Sequence, residues 1–177
     1  ITSGKTKYSL ATVDPQDFPT FENFPADIAV SIAGNILLKG ITKTAYAASK
    51  DESRFALNGV CFSFTNSHID FVATDGHRLA LYKGEITGKT LEGKYTVPQK
   101  ALAEIKKLVS EYEDVEVSIS GSSIFFKGSN WMMSARLLEG VFPDYTQVIP
   151  SSFNIQVEVT KGEFLDSVKR VVVAEES

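Results

Sequence analysis

Three groups of residues in this 177-residue chain have types and spacing that could do chemistry. The first is Gly84-Glu85-Ile86-Thr87-Gly88-Lys89-Thr90, which has the outline of a phosphate-binding loop. Such a loop needs four residues between its first glycine and Gly-Lys-Thr, so that successive backbone amides curl round a phosphate. Here there are three, and Leu91-Glu92-Gly93 leads on to a strand, so no helix N-terminus is aimed at an anion. The segment reads as a polar hairpin connection. The second group is Asp75 and His77, which with a serine would suggest nucleophilic hydrolysis. No serine stands in a Gly-x-Ser-x-Gly elbow, and Asp75-Gly76 reads as a turn between strands with His77 and Arg78 at its edge. The third is Cys61, which sits in an alternating apolar run with no adjacent base and reads as a core thiol. His68, the only other histidine, falls at a hairpin edge, so neither a metal cluster nor a cofactor is expected. Trp131, Met132 and Met133 open a strand and read as packing residues.

The lysines carry more information. Residues 34–50 hold Lys39, Lys43 and Lys50 and no acid, a local charge of +3. Residues 99–109 hold Lys100, Lys106 and Lys107 against Glu104, a local charge of +2. The whole chain is −4, so the remainder stands at −9. Two basic segments inside an acidic molecule suit a surface that follows a phosphate backbone without reading bases. Lys39, Lys43 and Lys50 are spaced to share one helical stripe, as are Lys100 and Lys107.

The elements that position these residues follow from two periods. Period-two alternation marks strands at Ile28, Val30 and Ile32; at Val60, Phe62 and Phe64; at Ile69, Phe71 and Ala73; at Val115, Val117 and Ile119; and at Ile155, Val157 and Val159. Further strands are expected near 94–97, 123–128 and 131–137, and turn residues such as Thr65-Asn66-Ser67 and Ser120-Gly121-Ser122-Ser123 predict antiparallel hairpins. Helical spacing marks 34–49, with Leu37, Leu38, Ile41, Ala45 and Ala48 on one face. It also marks 98–110, with Leu102, Ile105, Leu108 and Val109 as the stripe and Pro98 in the first turn. A third helix is predicted from Thr160, which forms a capping box with Glu163. The order strand, helix, three strands occurs twice, the signature of an α+β domain with helices set against antiparallel sheets. A shift of 127 positions lays Ile28, Val30, Ile32, Leu38, Ile41 and Ala47 onto Ile155, Val157, Val159, Leu165, Val168 and Ala174, so a further copy is expected to begin there. No apolar run approaches the roughly 20 residues of a membrane helix. One cysteine points to a reducing compartment. The chain opens at Ile1 and is expected to be a segment of something longer.

Four strings carry a family resemblance: Leu57-Asn58-Gly59-Val60, Ala73-Thr74-Asp75-Gly76-His77-Arg78-Leu79-Ala80, Val97-Pro98-Gln99-Lys100 and Gly140-Val141-Phe142-Pro143-Asp144-Tyr145. In this order and spacing the chain resembles the bacterial sliding clamps, the DNA polymerase III β subunits, along its whole length. The resemblance implies the DNA-clamp fold built from duplicated β-α-β-β-β units. It implies the end of a first domain and its linker, Asp17-Phe18-Pro19, at residues 1–20, a complete middle domain at 21–148, and the first strand and helix of a third at 149–177. It also implies a cytoplasmic, non-enzymatic processivity factor. Two subunits would close head-to-tail into a ring round duplex DNA, whereas this chain alone is expected to be monomeric.

The partners implied are the polymerase III α subunit, the clamp loader and other proteins bearing a short clamp-binding peptide. That peptide would meet Leu57, Thr74, Gly76, His77, Arg78, Leu79, Pro143, Gln147 and Val148. At Gln147 some relatives of the family carry arginine, so a charge-assisted contact is not expected there. The duplex would face Lys39, Lys43, Lys50, Arg54, Lys100 and Lys107.

Overall fold

The alternating runs become strands because each finds a neighbour for its backbone amides and carbonyls. The computed structural model describes residues 1–17, 23–51, 53–88 and 91–175, and it divides into two units, Ile1–Phe142 and Pro143–Ser177. The expected linker residues Phe18 and Pro19, the boundary at 20–21, and Lys89 and Thr90 of the glycine-containing loop lie outside the described residues.

The first unit opens with a short hairpin, β1 (Thr2–Ser3) and β2 (Thr6–Lys7). There follow β3 (Val30–Ala33), α1 (Gly34–Thr44), β4 (Gly59–Thr65), β5 (His68–Thr74), β6 (Leu79–Glu85) and β7 (Thr87–Gly88). Then come β8 (Gly93–Pro98), α2 (Gln99–Leu108), β9 (Asp114–Ser120), β10 (Ser123–Lys127) and β11 (Met132–Arg136). The expected duplication is present as β3-α1-β4-β5-β6 and β8-α2-β9-β10-β11. Among the described residues the strands form one sheet of order β11-β10-β9-β3-β7 and another of order β6-β5-β4-β8, antiparallel throughout.

The strand before each helix is exchanged. β3 pairs with β9 of the second copy, Val30 opposite Val117 and Ile32 opposite Val115. β8 pairs with β4 of the first copy, with Val97 opposite Val60 and Tyr95 opposite Phe62. Each copy thus completes the other's sheet, and a single core results. Aromatic rings knit it together: Phe62 meets Phe71 at 4.7 Å between centroids and Phe126 of the other sheet at 6.3 Å, both edge-to-face.

Several expectations need correction. Ile28 is exposed and lies in a 3-10 turn, Ala26–Ile28, not in β3. The chain before Val30 runs over the far face of its sheet, where the Pro25 carbonyl accepts the Ser118 hydroxyl at 2.8 Å, so it cannot also extend the ladder. In β4 burial is not confined to one face, for Cys61 and Ser63 are buried too. Leu138 N–H donates to the Thr96 carbonyl at 2.9 Å, which brings the chain after β11 over β8 beside them. Burial pushes the Cys61 thiol up to about 12, which keeps it protonated and unreactive.

Helix α1 ends at Thr44, and a 3-10 turn, Ala45–Ala47, finishes the segment. Leu37 and Ile41 are buried as expected, with Leu38 and Ala45 half-buried. In α2, Leu102, Ile105 and Val109 are buried but Leu108, the last residue of the helix, is exposed. Pro98 stands one place earlier than expected, at the N-cap with extended ψ 145°.

The second unit, taken by itself, holds a 3-10 turn (Tyr145–Val148) and α3 (Lys161–Glu175). The Asp144 Oδ1 caps the turn by accepting from the Thr146 N–H at 3.2 Å and its hydroxyl at 2.7 Å. A shift of 127 carries the first residue of α1, Gly34, onto the first residue of α3, Lys161, so the helical part of the repeat is in register. The strand expected at Ile155, Val157 and Val159 does not form; these residues are exposed. No described segment pairs with them, and an unpaired extended run leaves its amides to water.

Helix α1 approaches the sheet at Gly40, where a Cβ would stand 2.5 Å from Cδ2 of the buried Phe71 ring. Helix propensity alone favours alanine over glycine by about 1 kcal/mol. Overpacking a buried ring costs about 1–3 kcal/mol and the ring has no room to withdraw. Gly40→Ala is therefore expected to lower the midpoint of urea unfolding, opposite to the propensity effect, while leaving the slope unchanged.

Candidate partner-binding site

The turn between β5 and β6 is built from five consecutive residues. Gly76 has φ +89°, open to glycine and strained for other residues, and a Cβ there would also press on Arg54 Nη1. Asp75 Oδ1 accepts from the backbone N–H groups of His77 and Arg78, each at 3.0 Å, in the way an aspartate organises a turn. Its Oδ2 accepts from Arg78 Nε at 3.1 Å. The Thr74 hydroxyl donates to the Arg78 carbonyl at 2.7 Å and accepts from the Gly76 N–H at 3.1 Å. The result presents the His77 and Arg78 side chains to solvent from a fixed backbone. It cannot serve as a triad, because both carboxylate oxygens of Asp75 are engaged by this turn and neither bonds to the His77 ring.

Two concave surfaces meet beside it. A cleft of about 360 Å³ is lined by Lys50, Asp51, Arg54, Asp75, His77 and Arg78, together with Ala48 and Ser49. A larger, mainly apolar cavity of about 730 Å³ is lined by residues 53–57 and 136–140, among them Phe55, Leu57, Leu137 and Leu138. Arg54 lines both, and its Nη1 donates to the Asp75 carbonyl at 3.0 Å. Apolar walls thus stand beside fixed hydrogen-bond donors, the make-up of a ligand-binding surface. Thr74 and Leu79 are half-buried at the two ends of the turn. Pro143, Gln147 and Val148 are exposed in the second unit, where Gln147 Nε2 donates to Asp144 Oδ2 at 2.9 Å. The 136–140 wall was not among the expected site residues: 136–137 end an expected strand and Gly140 opens a resemblance string, but nothing in them marks a cavity lining.

The helices α1 and α2 lie against each other, with a groove of about 510 Å³ between them. Lys39 and Lys43 are exposed on α1, about 160° round from the buried Ile41. Lys43 Nζ stands 5.5 Å from the Tyr82 ring centroid. Lys100 and Lys107 are exposed on α2, and Lys107 Nζ is held by Glu104 at 2.8 Å. Lys50 departs from the expected stripe: the helix ends before it, so the seven-residue spacing no longer sets its direction, and it lines the cleft together with Arg54. One contact joins cleft to helix layer, for Arg78 Nη2 donates to the Tyr46 carbonyl at 3.2 Å and its guanidinium lies over the Tyr46 ring.

Hydrogen bonds from the His77 and Arg78 amides, then the Arg78 charge, hold the Asp75 carboxyl below the ordinary aspartate range. A carboxyl whose value is lowered by folding stabilises the fold above its ordinary value, near 3.9, and that contribution is lost as pH falls further. Amide-exchange protection at His77 and Arg78 is therefore expected to hold down to about pH 4 and to fade below it. In Asp75→Asn, which keeps an acceptor oxygen but cannot titrate, that acid-limb dependence is expected to flatten.

Among the described residues no group of three His, Cys, Asp or Glu side chains stands together as a metal site, and no helix is long and apolar enough to cross a membrane. Residues 31–144 match the family model described as DNA polymerase III beta subunit, central domain. The chain is 32% identical over 171 residues to the beta sliding clamp of Staphylococcus aureus, covering 96% of this chain and 45% of that protein. The beta subunit of DNA polymerase III from Thermotoga maritima is similar in structure, with TM-score 0.81 and 28% identity over 97% of this chain and 47% of that one. A Pseudomonas aeruginosa sliding clamp solved bound to griselimycin superposes with TM-score 0.73 and 29% identity, covering 85% of this chain and 42% of that one. The chain spans about half the length of the relatives it matches. The match over residues 31–144 spans more than half of the chain, and the chain belongs to the DNA polymerase III beta subunit family.

Proposed function

We propose that this chain is the middle of a sliding-clamp subunit, a protein that tethers the replicative polymerase to duplex DNA and performs no reaction itself. The observation that carries this reading is the rigid turn from Thr74 to Leu79 beside an apolar cavity, in a family member with a basic helix pair on an acidic body. Tethering needs no catalytic group; it raises the effective concentration of polymerase at the primer end. Residues 1–20 would end the first domain, 21–148 form the middle one and 149–177 begin the third. In the full-length protein two subunits would close into a ring in the cytoplasm, with α1 and α2 turned to the duplex.

The partner peptide, from the polymerase III α subunit, the clamp loader or other clamp-motif proteins, would lie along Leu57, Thr74, Gly76, His77, Arg78 and Leu79, and reach Pro143, Gln147 and Val148. That a Pseudomonas aeruginosa relative was solved bound to griselimycin supports a ligand-holding surface in the family. Lys50 and Arg54, given their place in the cleft, would serve the peptide's acidic or carbonyl groups as well as the duplex.

In the full-length protein, Leu79→Asp or His77→Ala is expected to weaken a clamp-motif peptide by roughly tenfold or more in fluorescence anisotropy, the loss of one anchoring contact. Unaltered affinity with an unaltered unfolding midpoint would remove these residues from the site. The 177-residue chain alone is expected to run as a monomer at every concentration in light scattering, and a stable dimer of ring size would refute the proposed closure through the flanking domains.

A further inference from the structure

We propose that Tyr46 is a positioning residue for partner recognition, whose ring and carbonyl hold the Arg78 guanidinium at the wall of the cleft. This rests on the clamp reading and adds a residue that lies in neither the expected peptide set nor the expected DNA-facing set. Tyr46 is the middle residue of the 3-10 turn Ala45–Ala47 that finishes the α1 segment, and that turn packs against β5 and β6. Its neighbours do the packing: Ala47 and Ala48 are buried, whereas Tyr46 is 63% exposed. A large ring on the surface there contributes little to the core; what it meets is Arg78. The guanidinium carbon stands 5.8 Å from the ring centroid, inside the roughly 6 Å at which a cation is drawn to an aromatic face. The Tyr46 carbonyl accepts from Arg78 Nη2 at 3.2 Å, and Asp75 Oδ2 accepts from Nε at 3.1 Å. Asp75 alone would tie the guanidinium at one nitrogen; the second bond and the ring fix its plane. Two of its three nitrogens are thereby committed, and Nη1 is reserved for a carbonyl or carboxylate of the peptide in the cleft that Arg78 lines. An exposed arginine otherwise samples many rotamers, and a side chain ordered before its ligand arrives loses less freedom on binding.

The test is a double-mutant cycle in the full-length protein, read by anisotropy of a labelled peptide carrying the clamp-binding segment of the polymerase III α subunit. Tyr46→Ala is expected to weaken the peptide about two- to fivefold, the size of one exposed cation–π contact. Tyr46→Phe, which keeps the ring and the carbonyl, is expected to bind like the parent. In an Arg78→Ala background, Tyr46→Ala is expected to cause no further loss, a result that general loosening of the turn would not give. Equal losses in the two backgrounds, a Tyr46→Phe variant as weak as Tyr46→Ala, or parental affinity in Tyr46→Ala would each overturn the positioning role. The clamp reading then stands if His77→Ala still weakens the peptide. A parent protein that does not bind the peptide would overturn both.

Discussion

The exchange of β3 and β8 between the two structural copies is the constraint on which the first unit rests. Each copy offers a helix and a three-stranded meander, and each takes the strand that precedes the other's helix. Neither sheet closes over the core until both exchanges are made, which is why Phe62 and Phe126, from different sheets, pack edge-to-face at its centre. Long-range pairing of this kind carries a loop-closure cost, offset by burial of one shared core instead of two small ones. It also sets α1 and α2 beside each other, since each helix follows directly from an exchanged strand.

From that arrangement the rest of the surface chemistry follows. The turn after β5 is stiffened from within by Asp75 and Thr74, and from outside by Arg54 and by the Arg78 contact with the Tyr46 carbonyl. A second carboxylate does similar work at the other helix. Glu113 accepts from the Ser110 N–H at 2.7 Å and from the Trp131 indole at 3.4 Å, while its carbonyl receives the Gly34 N–H at 2.7 Å. The backbone bond from Ser110 holds the Glu113 carboxyl below the usual glutamate range. Both acids act as fasteners of loops, and both act in their ionised form. The proposed functions divide along the same lines: peptide recognition by the stiff turn and its apolar cavity, duplex contact by the helix layer, with Tyr46 standing between them.

Much of the framework was legible beforehand because hydrophobic period reports burial on one face. The strands at 59–65, 68–74 and 114–120, the two helices and the duplication all follow from it. Legibility failed where burial or pairing came from a distant segment. Ser118 is buried beneath the Pro25 carbonyl, Cys61 and Ser63 lie on the face that the chain after β11 approaches, and Ile155–159 alternates without a partner. In the candidate site, Asp75-Gly76 announced its turn through residue type, and His77 and Arg78 came with it. The wall at 136–140 did not, and Lys50 left its stripe because the helix ends at Thr44 and a 3-10 turn follows, so helical spacing no longer sets its direction.

Residue order alone therefore determined the helices and most strands of the first unit, where its tight turns fall and which segments carry positive charge, because each of these depends chiefly on neighbours within a few positions. Tertiary structure decided which strand completes which sheet, that Arg54 lines the cleft beside His77, and that α1 and α2 share a groove. These depend on contacts between residues far apart in the chain, and local periodicity carries no record of them.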